Sequence, residues 1–323
     1  MSPPPIPRPY RLRTLTQAPP RLGDHTLACV VHAAAITADE DPRRIHVPLP
    51  VLSGPAVELW ETDSAVHCGH EGRIAYAQGA AILFAQLRVD GSAMRDPRRA
   101  TAAAYAELTA FFARRRGWHW VRSWNYIGDI HRNAERGNGD EERYRQFVLG
   151  RHDVLSAEPG FEARLPAATA IGTGGDALLV YVLGARQPGL QIENPRQVSA
   201  FRYPRQYGPR SPSFSRARRL DWANGADLIV SGTASVVGHE TAHPGDAERQ
   251  LRETLENLRQ LRRDAGADTW GAASTKLFVR DAAIWASVQP TVRSLLPATE
   301  LCVLEGEICR ADLALEIEVL LQR

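Results

Sequence analysis

Residues 226–238 read ADLIVSGTASVVG, residues 248–263 read ERQLRETLENLRQLRR, and residues 275–280 read TKLFVR. The first stretch is a strand pair or one long bent strand. The second is the clearest helix in the chain, with Leu251, Leu255, Leu258 and Leu261 on one stripe. The third is a strand, and a second helix runs from Ala282 to Leu295, before Pro297. LCVLEGEI (301–308) and DLALEIEVL (312–320) close the chain as two strands. The order is strand, helix, strand, helix, strand, strand.

The same order occurs upstream. From Ala80, AAILFAQLRVD is a strand that turns at Asp90-Gly91. A helix follows to about Arg116, with Tyr105, Leu108 and Phe112 at helical spacing. In WHWVRSWNYI (118–127) the alternation of a strand puts Trp118, Trp120 and Trp124 on one face. Glu141 to Leu155 is helical, with Tyr144, Phe147 and Val148 on one side. ATAIG and DALLVYVLG are two strands, joined through Gly172, Gly174 and Gly175 by a hairpin turn.

A repeated order of this kind argues an α+β fold, each half a mixed sheet with helices packed on one face. Crossover helices give right-handed connections between parallel neighbours. The Pro-rich residues 1–22 form an extended arm, ordered near Leu22. Residues 23–190 form an N-terminal α+β domain and 191–323 a C-terminal domain, with the linker at Gly189 to Pro195.

The chain has 323 residues, with 39 basic and 37 acidic side chains and a formal net charge of +2. That balance argues against nucleic acid as a partner, which needs a basic excess or stripe. A single lysine, Lys276, stands among the arginines. No stretch approaches the roughly 20 apolar residues of a membrane span, and the N-terminus lacks the apolar core of a signal peptide. The expectation is a reduced, cytoplasmic protein with no membrane partner. Four cysteines make no disulfide framework. His67, Cys68 and His70 form one short cluster, too small for a closed structural zinc site, and no metal is expected.

The segment FRYPRQYGPRSPSFSRA (201–217) is the most unusual. Arg202, Arg205, Arg210 and Arg216 alternate with Tyr203, Tyr207 and Phe214. Its prolines and Gly208 exclude a regular helix, which makes it a stiff loop. Guanidinium forks on such a loop suit a small dianion with two carboxylates; a solvated basic loop is the plain alternative. SGTAS (231–235) completes no phosphate-binding motif; within a strand, Gly232 marks a bulge or a close approach to a ligand. In DLALEIEVL, Glu316 and Glu318 share one strand face. Two buried carboxylates are costly, so at least one must face a cleft or an arginine. One held in a half-dry cleft keeps its proton and can act as a general acid.

FRYPRQYGPRSPSFSRA, LIVSGTASVVGHETAHPGD (228–246) and ICRADLALEIE (308–318) together resemble the chorismatase family. WNYIGDIH (124–131) and ERYRQFVLGR (142–151) fit the same family. The C-terminal half also resembles the RidA (YjgF) fold, whose closing strand carries a similar EIE signature. The resemblance thus implies two RidA/chorismate-mutase-like halves, the second catalytic.

It further implies a lyase that forms 3-hydroxybenzoate and pyruvate from chorismate, with no cofactor. Glu316 is then the acid that protonates the enolpyruvyl methylene. Cys309, seven residues upstream, matches the members that release 3-hydroxybenzoate; hydrolytic members have a small apolar residue there. Arg210 and Arg151 become the partners of the two carboxylates, with Tyr203 as a hydrogen-bond donor, Gly232 on the pocket floor, and Arg310 as a further candidate. On a strand, Arg310 would point away from Cys309. Without the family, Cys309 reads as a small buried hydrophobe.

Three other readings remain at this stage. One is a hydrolase giving the dihydroxycyclohexadiene carboxylate, and a second is a mixed 3-/4-hydroxybenzoate synthase. The third is a RidA-like small-ligand module. The chain is expected as a monomer or a trimer.

Overall fold

The computed structural model describes residues 6–35, 39–133, 142–296 and 300–323. Two seven-stranded mixed sheets are built from the same run of elements. In the first the run is β1 (Ile74–Gln78), β2 (Ile82–Val89), α1 (Pro97–Ala113), β3 (His119–Gly128), α2 (Arg143–Leu155), β4 (Ala167–Thr173) and β5 (Leu178–Ala185). In the second it is β6 (Ala217–Trp222), β7 (Gly225–Thr233), α3 (Ala247–Asp264), β8 (Gly271–Val279), α4 (Ala282–Leu295), β9 (Leu301–Glu305) and β10 (Leu315–Gln322). The spatial orders match, β1-β2-β5-β3-β4 and β6-β7-β10-β8-β9. β3 and β4 are parallel, as are β8 and β9. The α+β class with helices on one face of each mixed sheet therefore stands.

Residue chemistry sets each element. Asp96, Asp246 and Asp281 cap α1, α3 and α4 by accepting the backbone N–H of Arg99, Arg249 and Ile284, satisfying donors that the first helical turn leaves free. The leucine stripe of α3 is buried with Trp285, Val288, Leu315 and Ile317 in a core between the second sheet and its helices. Tyr105, Leu108, Phe111 and Phe147 do the same for the first. The other sheet faces meet each other, where Trp124, Tyr126 and Tyr181 share a core with Phe278, Leu304 and Leu320. The order of layers is helices, sheet, sheet, helices.

Several expectations are corrected. Trp118, Trp120 and Trp124 do not share a face. Leu183 pairs with Arg122 and Gly184 with Trp120, so a bulge at Val121 reverses the alternation. Trp120 stacks on Tyr105 and Phe112 on the helix side, while Trp124 stacks on Tyr181 between the sheets. The glycine segment after β4 is not a hairpin turn, because β4 and β5 lie on either side of β3. The Pro-rich arm enters the fold before Leu22. Arg11–Leu15 pairs with Val57–Glu61 in a separate four-stranded sheet, and Tyr10 donates to Asp227 at 2.7 Å. Within the expected linker, Leu190–Ile192 is an edge strand paired with β6.

The two halves also exchange edges. Val51–Ser53 pairs with β9 in the second sheet, and Glu307–Ile308 pairs with β4 in the first. The second exchange carries Cys309 and Arg310 to the first sheet's edge. Among the described residues, no helix is long and apolar enough to cross a membrane.

Candidate active site

β10 supplies the centre of the site. Leu315 and Ile317 pack toward the helices, so Glu316 and Glu318 point between the sheets, and both are 5% exposed. Their surroundings differ completely. Glu318 Oε1 accepts from Trp124 Nε1 at 2.9 Å and Lys276 Nζ at 3.1 Å. Its Oε2 accepts from Arg122 Nη2 and Thr169 Oγ1, each at 2.6 Å. Burial opposes the charge on Glu318, but Lys276 and Arg122 outweigh it and hold the carboxyl at about 2. Of the two carboxyls, Glu318 is the one that meets an arginine, within a four-donor cage. Lys276 is itself held by Glu58 at 2.7 Å, and these charges keep it protonated against its burial.

Glu316 receives no hydrogen bond from any described residue. Burial, then the charge of Glu318, push its carboxyl up to about 8. It faces a cavity of about 300 Å³. Two carboxyls on one strand face are thus driven apart in proton affinity, the pattern by which an acid is set at neutral pH.

The cavity forms where the edge of the first sheet meets β7. Ala168 N donates to Ser231 Oγ at 2.7 Å, and Gly232 N donates to Thr169 Oγ1 at 3.0 Å. Val230 pairs with Val319 and Thr233 with Ile317, so Ser231 and Gly232 bulge opposite Glu318. A Cβ added to Gly232 would lie 1.8 Å from Glu316 Oε1. Only a residue without a side chain lets the carboxyl sit there.

Arg151, Tyr203, Arg210, Gly232, Cys309, Arg310 and Glu316 all line this cavity. Their positions differ from the sequence expectations in two ways. Arg210, expected as a partner of a substrate carboxylate, is exposed at the mouth. While Arg202, Arg205 and Arg210 are exposed, Arg216 is the buried one of the loop's four arginines, 4% exposed. Its Nη2 donates to Tyr203 Oη at 2.6 Å, which leaves the tyrosine proton available. Cys309 and Arg310 follow a two-residue strand and lie in a turn, so both face the cavity instead of opposite sides. The Arg310 guanidinium lies 4.0 Å over Tyr207 and 5.1 Å over Tyr203.

Three arginines in the wall, Arg151, Arg216 and Arg310, each keep one buried nitrogen, Nε in the first two and Nη2 in the third, without a protein partner. The sequence placed Arg216 in the loop but did not separate it from Arg210. Tyr144 was also missed as a site residue. It lines the cavity with Cys309; its position on the ERYRQFVLGR helix face was the available signal. Burial and then Glu316 push the Cys309 thiol up to about 12, so Cys309 stays neutral. The His67, Cys68 and His70 cluster lies elsewhere, on an edge strand, with His67 Nε2 3.1 Å from Tyr76 Oη.

Comparisons with known proteins agree in family and fold. Residues 58–184 match the family described as chorismatase FkbO/Hyg5-like, N-terminal. A 3-hydroxybenzoate synthase of Streptomyces hygroscopicus is 36% identical over 280 residues, covering 82% of this chain and 81% of that protein. A chorismatase of Streptomyces rapamycinicus is 32% identical over 98% of both chains. A crystal structure of a chorismatase at 1.08 Å resolution overlays 97% of this chain and 98% of its own with a TM-score of 0.83, at 29% identity.

Proposed function

The chain belongs to the chorismatase family, and from that premise we propose its reaction at the level of residues. It is an enzyme that cleaves chorismate to 3-hydroxybenzoate and pyruvate. The observation that carries the reading is a buried carboxyl, Glu316, that keeps its proton at neutral pH and faces a cavity lined with arginine.

Chorismate brings two carboxylates. Arg151, Arg216 and Arg310, each with an unpartnered buried nitrogen, are the partners the wall offers. Arg210 stands at the mouth, where it attracts the dianion. Glu316 gives its proton to the methylene carbon of the enolpyruvyl ether, creating an oxocarbenium centre. The ring hydroxyl oxygen then attacks the ether-bearing ring carbon as its bond to the pyruvyl oxygen breaks, and pyruvate leaves. The hydroxyl proton released in this step restores Glu316. The arene-oxide-like ring opens and loses its ring hydrogen to give the phenol. The two products sum to the substrate, so water takes no part.

A hydrolase would need a water beside the cation. Cys309, a neutral thiol, occupies wall space there and is a weak donor and acceptor. This supports the aromatising reaction over hydrolysis. The test is incubation of the purified protein with chorismate. Equal amounts of pyruvate and 3-hydroxybenzoate support the reading; a dihydroxycyclohexadiene carboxylate would reassign the chain to the hydrolases, and no pyruvate would reject both.

A further inference from the structure

Resting on the assignment of Glu316 as the acid, we propose that Glu318 is a positioning residue of the reaction: a carboxylate that cannot take up a proton, fixed on the same strand face as Glu316, it keeps the proton on Glu316 at neutral pH.

Hydrogen-bond accounting carries the argument. Each oxygen of Glu318 accepts two hydrogen bonds. Three of the donors, Arg122, Trp124 and Lys276, have hydrogens to give and no acceptor to offer. The fourth is Thr169, whose oxygen already accepts from Arg122 Nη2 at 2.5 Å and from Gly232 N at 3.0 Å. Its single proton therefore goes to Glu318. A proton on Glu318 would have no acceptor in this cage, so the charge is fixed by geometry.

Glu316 is two residues away on the same face, with no donor of its own among the described residues. A second negative charge there is opposed by the first. The other charged or titratable groups around Glu316 are Arg122 and Arg216, which favour its ionisation, Cys309 and Tyr144, which stay neutral in the wall, and, farther round the same cavity, Arg145, Arg151, Arg210, Arg310, Glu142, Asp312, Tyr203 and Tyr207. Around Glu318 and Lys276 lie Glu58, Tyr126, Tyr181 and His32, and the buried histidine is pushed down to about 4 and is uncharged. Lys276 is the only lysine in the chain. A compact ammonium reaches both Glu58 and Glu318 from one point, as the wider guanidinium fork would not.

The consequence is a pH profile. Loss of the Glu316 proton gives the alkaline limb of kcat/KM, expected near 8. Glu318→Gln keeps the shape and removes the charge, and should lower that limb by about one pH unit or more. Glu318→Asp keeps the charge and disturbs the cage, and should leave the limb close to its wild-type position while reducing kcat. A merely structural role would predict the reverse ranking, with the Gln variant nearer to wild type. Should Glu318→Gln fail to fold, carbon-13 NMR of glutamate carboxyls in the wild type decides. One signal, absent from Glu316→Gln, should titrate near the alkaline limb, and a second, buried one should remain a carboxylate from pH 5 to 9. A Glu318 signal that is protonated at pH 7, or a limb unmoved in a folded Glu318→Gln, overturns the proposal. Neither result touches the Glu316 assignment, which fails separately if Glu316→Gln still releases pyruvate.

Discussion

β5 of the first sheet and β10 of the second occupy the same place, inserted between the second strand and the parallel pair. On the face that looks into the space between the sheets, β5 presents Leu179, Tyr181 and Leu183, and β10 presents Glu316, Glu318 and Leu320. One backbone arrangement thus carries apolar packing in one half and two buried carboxyls in the other. The fold repeats and the site does not, because a site is a set of side chains placed on a scaffold. What distinguishes β10 is its supply of partners: Lys276 on β8, Arg122 and Trp124 on β3, and Thr169 on β4.

The comparison can be broken most severely at Lys276. Lys276→Met leaves Glu58 and Glu318 buried with one cation fewer, whereas β5 needs no such ion. We expect about 3–5 kcal/mol of lost stability, read by denaturant unfolding. A loss under about 1 kcal/mol would mean that water or a proton compensates for the ammonium.

The next effect lies in the arginines. Arg216→Ala should weaken capture of chorismate by about 2–5 kcal/mol, seen mainly as a raised KM, since the buried dianion loses a fork. Arg210→Ala, at an exposed position, should cost under about 1 kcal/mol. Equal effects would show that the mouth and the interior share the load.

Cys309 sharpens the comparison on the product side. Cys309→Ala should keep pyruvate release while shifting product away from 3-hydroxybenzoate, because a vacated polar pocket can admit a water. Product ratios by chromatography at matched conversion read this. An unchanged ratio would make Cys309 simple packing, with the branch set elsewhere.

How much of this the sequence disclosed depends on the range of the interaction. The leucine stripe of α3 and the alternation of β10 are local patterns, and both were legible. The bulge at Val121 was not, since it arises from pairing with Leu183 and Gly184 across the sheet. Nor were the exchanged edges at Val51–Ser53 and Glu307–Ile308, which no local periodicity encodes. Glu316 and Cys309 were reached through a family resemblance. Arg216 was hidden among neighbours of the same type, because only the course of the loop decides which guanidinium is buried. The cage around Glu318 joins residues from four strands, and a single lysine was its only trace in the sequence.

The central claim is that Glu316 delivers the proton that breaks chorismate. The direct measurement is pyruvate release by Glu316→Gln beside the wild type, with folding verified by circular dichroism. The substitution keeps volume and removes the transferable proton. We predict a loss of roughly a hundredfold or more in kcat, at every pH from 6 to 8. Turnover within a few-fold of wild type would contradict the account and leave Glu316 a buried carboxyl without a catalytic part.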